Sequence, residues 1–214
     1  MATAVYLEVG AKKVFACAVD WPGWCRSGKT EEEALETLAD YDPRYRVVAK
    51  AAKLTFPKSA ASGFDVVERI KGNATTDFGA PGVIPKLAKD ALTKAQAERR
   101  AALVEASWKV FASVVKGAPA SLRKGPRGGG RDRDKIVAHV ADAEFAYARK
   151  FGVRHKQSAD PKAVTAMRSD VLAALRAARG DGMPADGTWP ARYTAHRVAW
   201  HVLDHAWEIE DKSE

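Results

Sequence analysis

The spacing of hydrophobic and polar residues changes part-way along this chain. Near the N-terminus, Val, Leu, Phe and Tyr come in short runs; beyond about residue 85, apolar residues recur every three or four positions. The runs at 4–9 and 13–19, separated by Gly10-Ala11-Lys12, predict two strands joined by a turn. Trp21-Pro22-Gly23-Trp24 interrupts them. Thr30, with Glu33 three residues on, makes a capping box and opens a helix over 31–41 that carries Ala34, Leu35 and Leu38 on one side. Pro43 ends or restarts that helix, a second short one covers 45–52, and 63–72 adds a strand. Residues 78–85 are turn-rich and form a connector.

The remainder is helical. A long helix over 87–115 has an apolar stripe of Leu92, Ala95, Leu103, Ala106, Val110 and Val114. A second, over 133–151, carries Ile136, Val140, Ala143 and Tyr147. The third starts at Asp160 as N-cap with Pro161 at the first helical position, buries Val164, Met167, Val171 and Leu175, and stops at Gly180. The fourth covers 191–210. Four such helices joined by loops predict a bundle. The expected class is therefore α+β: a small α/β module over residues 1–80, then a four-helix bundle over 81–214.

Composition narrows the partners. With 46% hydrophobic and 29% charged residues, a chain of 214 can build a core without disulfides. Its net charge of +8 permits anion binding. The basic loop of Arg123, Lys124, Arg127, Arg131, Arg133 and Lys135 contains no aromatic residue to stack on a base, and Asp132 and Asp134 dilute it, so a nucleic-acid partner is not expected. Cys17 and Cys25 are too few for a secreted disulfide scaffold. No signal-peptide pattern or membrane-length apolar run is present, which makes a cytoplasmic protein without a membrane partner the default expectation.

Chemistry concentrates late in the chain, where all five histidines lie: His139, His155, His196, His201 and His205. His201 and His205 are four apart, one turn of a helix, and share a side with Val198 and Val202. His139 lies among Ile136, Val140 and Ala143. Three inward imidazoles are hard to satisfy with hydrogen bonds alone, and a divalent ion, zinc or nickel, resolves this. Glu208 falls on the same stripe and is the candidate to orient a ligand or move a proton. Surface solvation is the expectation for Asp142, Glu144 and Asp204. Trp200, Leu203 and Trp207 form a second stripe, read as core. His155 is expected at the surface, His196 in the core or at a cap, and Cys25 as a small, half-buried residue.

Two stretches resemble known families. Residues 15–35, with Asp20-Trp-Pro-Gly-Trp, Gly28-Lys-Thr and the Glu31-Glu-Glu-Ala-Leu helix, are similar to the HicB-type antitoxin module, which implies contact with a small protein partner or a homodimer. Val137-Ala-His-Val-Ala-Asp-Ala-Glu and His196-Arg-Val-Ala-Trp-His-Val-Leu-Asp-His-Ala-Trp-Glu resemble the DinB-like superfamily of metal-binding four-helix proteins. That resemblance implies His139, His201 and His205 as metal ligands. It also implies a metal-dependent S-transferase acting on an electrophile with a low-molecular-weight thiol such as mycothiol. Three protein ligands leave a fourth position open, as in catalytic zinc sites. The bundle contains no cysteine, so the thiol would come from a small molecule. The rival expectation is a non-enzymatic binding or regulatory protein, stress- or toxin–antitoxin-related, acting through the N-terminal module.

Overall fold

The computed structural model describes residues 2–125 and 129–213; Pro126, Arg127 and Gly128 of the predicted basic loop lie outside the described residues. It is a mixed α/β protein. Strands β1 (Thr3–Val9), β2 (Val14–Ala18) and β3 (Cys25–Gly28) precede helices α1 (Glu31–Asp40) and α2 (Asp42–Ala51). Strand β4 (Phe64–Lys71) and the short helix α3 (Ala74–Phe78) follow. The long helices are α4 (Lys94–Gly117), α5 (Arg133–Lys150), α6 (Pro161–Ala177) and α7 (Ala191–Ser213). The sheet runs β3-β2-β1-β4, with β1 parallel to β4 and antiparallel to β2.

Two features escape the sequence pattern. Strand β3 has no apolar run; it forms because the turn at residues 20–24 folds it back onto β2, placing Cys17 opposite Cys25. The helix expected from Leu87 starts later. Lys86–Lys89 makes a 3₁₀ turn, and α4 begins at Lys94, where Thr93 and Gln96 form a capping box. The first turn of the expected helix is diverted because Glu68 of β4 accepts from the amides of Lys86 (2.8 Å) and Leu87 (3.0 Å), tying this segment to the sheet.

Helix α4 also has two inward sides rather than one. Ala97, Ala101, Val104, Trp108 and Phe111 face the bundle core, while Leu103 and Ala106 join the core of the N-terminal module. Ala95, expected on the stripe, is exposed. Packing therefore crosses residue 80. The face of the sheet formed by Val5, Leu7, Val14, Ala16 and Ala18 shares one apolar cluster with α1, α2, Leu103, Leu203 and Trp207. The opposite face, with Tyr6, Phe15, Cys17 and Cys25, packs on Trp200. Because both faces are covered, β2 is buried throughout its length. Glu8, fully buried in β1, accepts from Thr76 Oγ1 and from the amides of Gly82 (2.9 Å) and Val83 (3.1 Å), anchoring the connector.

A close approach of the two parts occurs at Gly23. Its φ is +89°, and a Cβ there would lie 2.8 Å from Leu203 Cδ1 and 2.9 Å from Ala199 Cβ. Only glycine permits both the backbone conformation and the contact with α7. Gly23→Ala should therefore lower unfolding free energy by roughly 2–4 kcal/mol, against roughly 1 kcal/mol for Gly180→Ala, whose φ is +58° but whose Cβ would meet nothing within 4 Å. Equilibrium denaturation of the two variants beside the parent measures the difference; equal effects would contradict a docked turn.

Candidate metal centre

Helix α7 supplies most of the site. From Ala191 to Ile209 only Arg192, Asp204 and Glu208 are not buried, so its polar residues face protein rather than water. Val198, Val202 and Ile209 point into the bundle core, and Leu203 and Trp207 into the N-terminal core. The remaining side presents His201 and His205 to His139 of α5. Ring centroids lie 5.1 Å apart for His139–His201, 5.0 Å for His139–His205 and 4.7 Å for His201–His205. One ring nitrogen from each lies within 4.8 Å of the others.

The spacing fits a metal. His139 Nε2 and His201 Nε2 are 3.3 Å apart. Two nitrogens bound tetrahedrally at roughly 2.0–2.1 Å from zinc would be about 3.3–3.4 Å apart. His205 Nδ1 lies 2.7 Å from Glu208 Oε2, so that nitrogen donates and Nε2 is left free to face the other two rings. Burial, then the neighbouring His205, pushes His139 below its ordinary pKa; the same causes in the same order, joined by Arg197, take His201 down to about 2. Neutral imidazoles are the form that binds metal. His201 Nδ1 is buried without a hydrogen-bond partner.

The expected acids separate on inspection. Glu208 bridges His205 and Lys212; the His205 hydrogen bond, opposed by burial and aided by Lys212, holds its carboxyl at about 2. Glu144 is not at the surface as expected. It is 2% exposed, with Arg168 Nη2 at 2.7 Å and Trp108 Nε1 donating to its other oxygen. The two donors close an ion pair between α4, α5 and α6 and engage both oxygens of Glu144. Asp142 is exposed and accepts from Gln157, and Asp204 pairs with Arg26 at 2.8 Å. His155 is half-buried and paired with Asp170 at 2.8 Å.

Sequence reasoning missed Arg197. It is 8% exposed, its guanidinium lies 5.1 Å from the Tyr147 ring and 4.7 Å from that of Trp200, and its Nη1 has no hydrogen-bond partner. It stands one turn before His201, and its i+4 spacing was the available signal. Tyr147 packs on His201 (5.5 Å) and Trp189 (5.3 Å), so an aromatic wall flanks the histidines. On the other flank a cavity of about 290 Å³, lined by Arg26, Tyr41, Asp204, Trp207, Glu208 and Lys212, reaches Glu208.

A second donor group lies elsewhere on α7. Cys17, Cys25 and His196 also offer ligand atoms within 4.8 Å of one another, and all three are buried. Cys25, expected half-buried, is fully enclosed. Burial raises the Cys17 thiol, but the Cys25 S–H and His196 outweigh it and hold Cys17 at about 6; burial and then Cys17 push Cys25 up.

The histidine shift carries a pH dependence. His201 has an ordinary value of 6.5 and about 2 when folded, so between those values the unfolded chain binds a proton that the folded chain does not. Its contribution is complete above about pH 6.5 and erodes as pH falls through that window. Metal-free protein should lose more stability between pH 7.5 and 5 than a His201→Gln variant does, as urea denaturation at the two pH values would show.

Comparison of the chain with protein-family models, with curated proteins and with solved structures found no match to any of them.

Proposed function

We propose that His139, His201 and His205 hold one divalent ion, zinc or nickel, and that the protein is a DinB-like, metal-dependent transferase acting on an electrophile with a low-molecular-weight thiol. The observation that carries this reading is the convergence of three imidazoles, with His139 and His201 nitrogens at a tetrahedral spacing and Glu208 behind His205. When bound, a divalent ion supplies a positive centre that lowers the pKa of a thiol beside it. Among the described residues the group has three protein donors, and Glu144 is engaged by Arg168 and Trp108, which supports assigning the fourth position to an outside ligand.

The chain's own residues have separable roles. Glu208 positions His205 by accepting its Nδ1 proton; its low pKa suits that task better than shuttling protons at neutral pH. Arg197, buried and short of a partner, favours a ligand with negative charge. Tyr147 and Trp189 supply apolar area against which an organic group can shed water.

His205→Ala should reduce zinc content by about one equivalent per chain after dialysis, since two remaining imidazoles rarely retain the ion. Glu208→Gln should keep the ion but weaken its affinity by roughly 10–100-fold, measured by competition with a chromophoric chelator. An unchanged zinc content in both variants would remove the histidine centre.

Thiol binding separates enzyme from regulator. Calorimetric titration of the zinc-loaded protein with mycothiol or a small model thiol, in two buffers of different ionisation enthalpy, should show about one proton released per thiol bound at pH 7. His205→Ala should show none. Zinc-loaded protein that takes up no thiol would favour the non-enzymatic binding reading, with the HicB-like module as the contact surface.

A further inference from the structure

We propose that Cys17, Cys25 and His196 form a second metal site for a thiophilic ion, zinc(II) in the first instance, which joins the N-terminal sheet to α7. The three donors come from three elements. Cys17 lies on β2, Cys25 directly opposite it on β3, and His196 on α7, five residues before His201. The two sulfurs are 2.7 Å apart, and both residues are fully buried.

A disulfide would account for the sulfurs alone. It would not account for the imidazole beside them, nor for the polar atoms left over. His196 Nε2 is buried with no hydrogen-bond partner, and so is the hydroxyl of Tyr6, which stands next to Cys17 and packs edge-on against His196 at 5.7 Å. A buried polar atom without a partner carries a desolvation penalty that a metal–nitrogen bond removes. Two thiolates and one imidazole are a donor set that suits zinc and copper(I) and excludes magnesium and calcium. Seating zinc at about 2.3 Å from each sulfur requires the pair to part to roughly 3.8 Å, a shift of about 1 Å that χ1 rotation on two facing strands can supply. A cavity of about 20 Å³ lined by Tyr6, Tyr193 and His196 lies beside the imidazole and has room for one water.

The location explains what such an ion would do. The apolar contacts on this face of the sheet are few: Phe15 meets Trp200 edge-on at 6.0 Å, and the cluster is the smallest of the three cores. An ion there would add metal–ligand links across the seam. The inference stands apart from the thiol-transfer reading, because its ligands and its readout are different.

Cobalt(II) tests it. Full-length protein is stripped of metal, reduced with a phosphine rather than a thiol, and titrated. Two equivalents should bind, one of them with a strong near-ultraviolet sulfur-to-cobalt band that needs no added thiol. His201→Ala should lose one equivalent and keep the band. The double variant Cys17→Ser/Cys25→Ser should lose the band and keep the histidine-bound equivalent. The parent protein decides the matter even if that variant does not fold: one or two equivalents without the band overturn the site, whether intact mass then shows free thiols or a disulfide, whereas a single equivalent that carries the band upholds it and removes the histidine centre instead. A band that disappears in His201→Ala overturns it as well.

Discussion

The burial of α7 on nearly every side is the constraint from which the rest of the structure follows. A helix enclosed by a bundle alone needs one apolar stripe. This one is clasped between the bundle and a sheet, and so carries Val198 and Val202 for one neighbour and Leu203 and Trp207 for the other. Its remaining residues must also be buried, and several are polar. His196, Arg197, His201 and His205 all lie at or below 9% exposure. A buried polar side chain needs a partner, and α7 meets that need with Glu208 for His205, aromatic rings for Arg197, and donor groups that converge in space. The candidate chemistry is thus a consequence of how the helix is enclosed.

That dependence explains why the N-terminal module matters to the site without touching the histidines. Gly23 lies against Ala199 and Leu203, and Arg26 pairs with Asp204 while stacking 4.1 Å over the Tyr41 ring. These contacts fix the rotation of α7 about its axis. Rotation of α7 about its axis would carry His201 and His205 away from His139. The module and the bundle share one apolar cluster through Leu103, Leu203 and Trp207, so displacement of either part disturbs both.

Much of this was readable from residue spacing, because helix periodicity and capping are local. Thr30–Glu33, Asp160–Pro161 and the four-residue step from His201 to His205 each announce themselves within one turn. The parts that were not readable depend on distant partners. Strand β3 exists through its pairing with β2, and the late start of α4 through the grip of Glu68 on Lys86 and Leu87. Glu144 looks like a surface acid until Arg168, 24 residues away, and Trp108 are brought to it. The Cys17–Cys25–His196 group joins residues almost 180 positions apart, and no local pattern marks it.

Charge around the histidines favours one kind of ligand over others. Glu144 is neutralised by Arg168 and Glu208 by Lys212, so neither carboxylate offers free negative charge to the centre. Arg197 lies close enough to depress His201 electrostatically, and its Nη1 is buried without a hydrogen-bond partner among the described residues. A divalent ion would add positive charge to a place that already holds a buried guanidinium, balanced only by the faces of Tyr147 and Trp200 among the described residues. Neutral imidazoles cannot balance either. A water in the fourth position would leave the surplus unrelieved unless it ionised, whereas a thiolate relieves it directly and is polarisable enough to bind strongly. On the proposed reading, the same electrostatics would disfavour a cationic substrate and favour an organic thiol or an acceptor that brings its own carboxylate to Arg197.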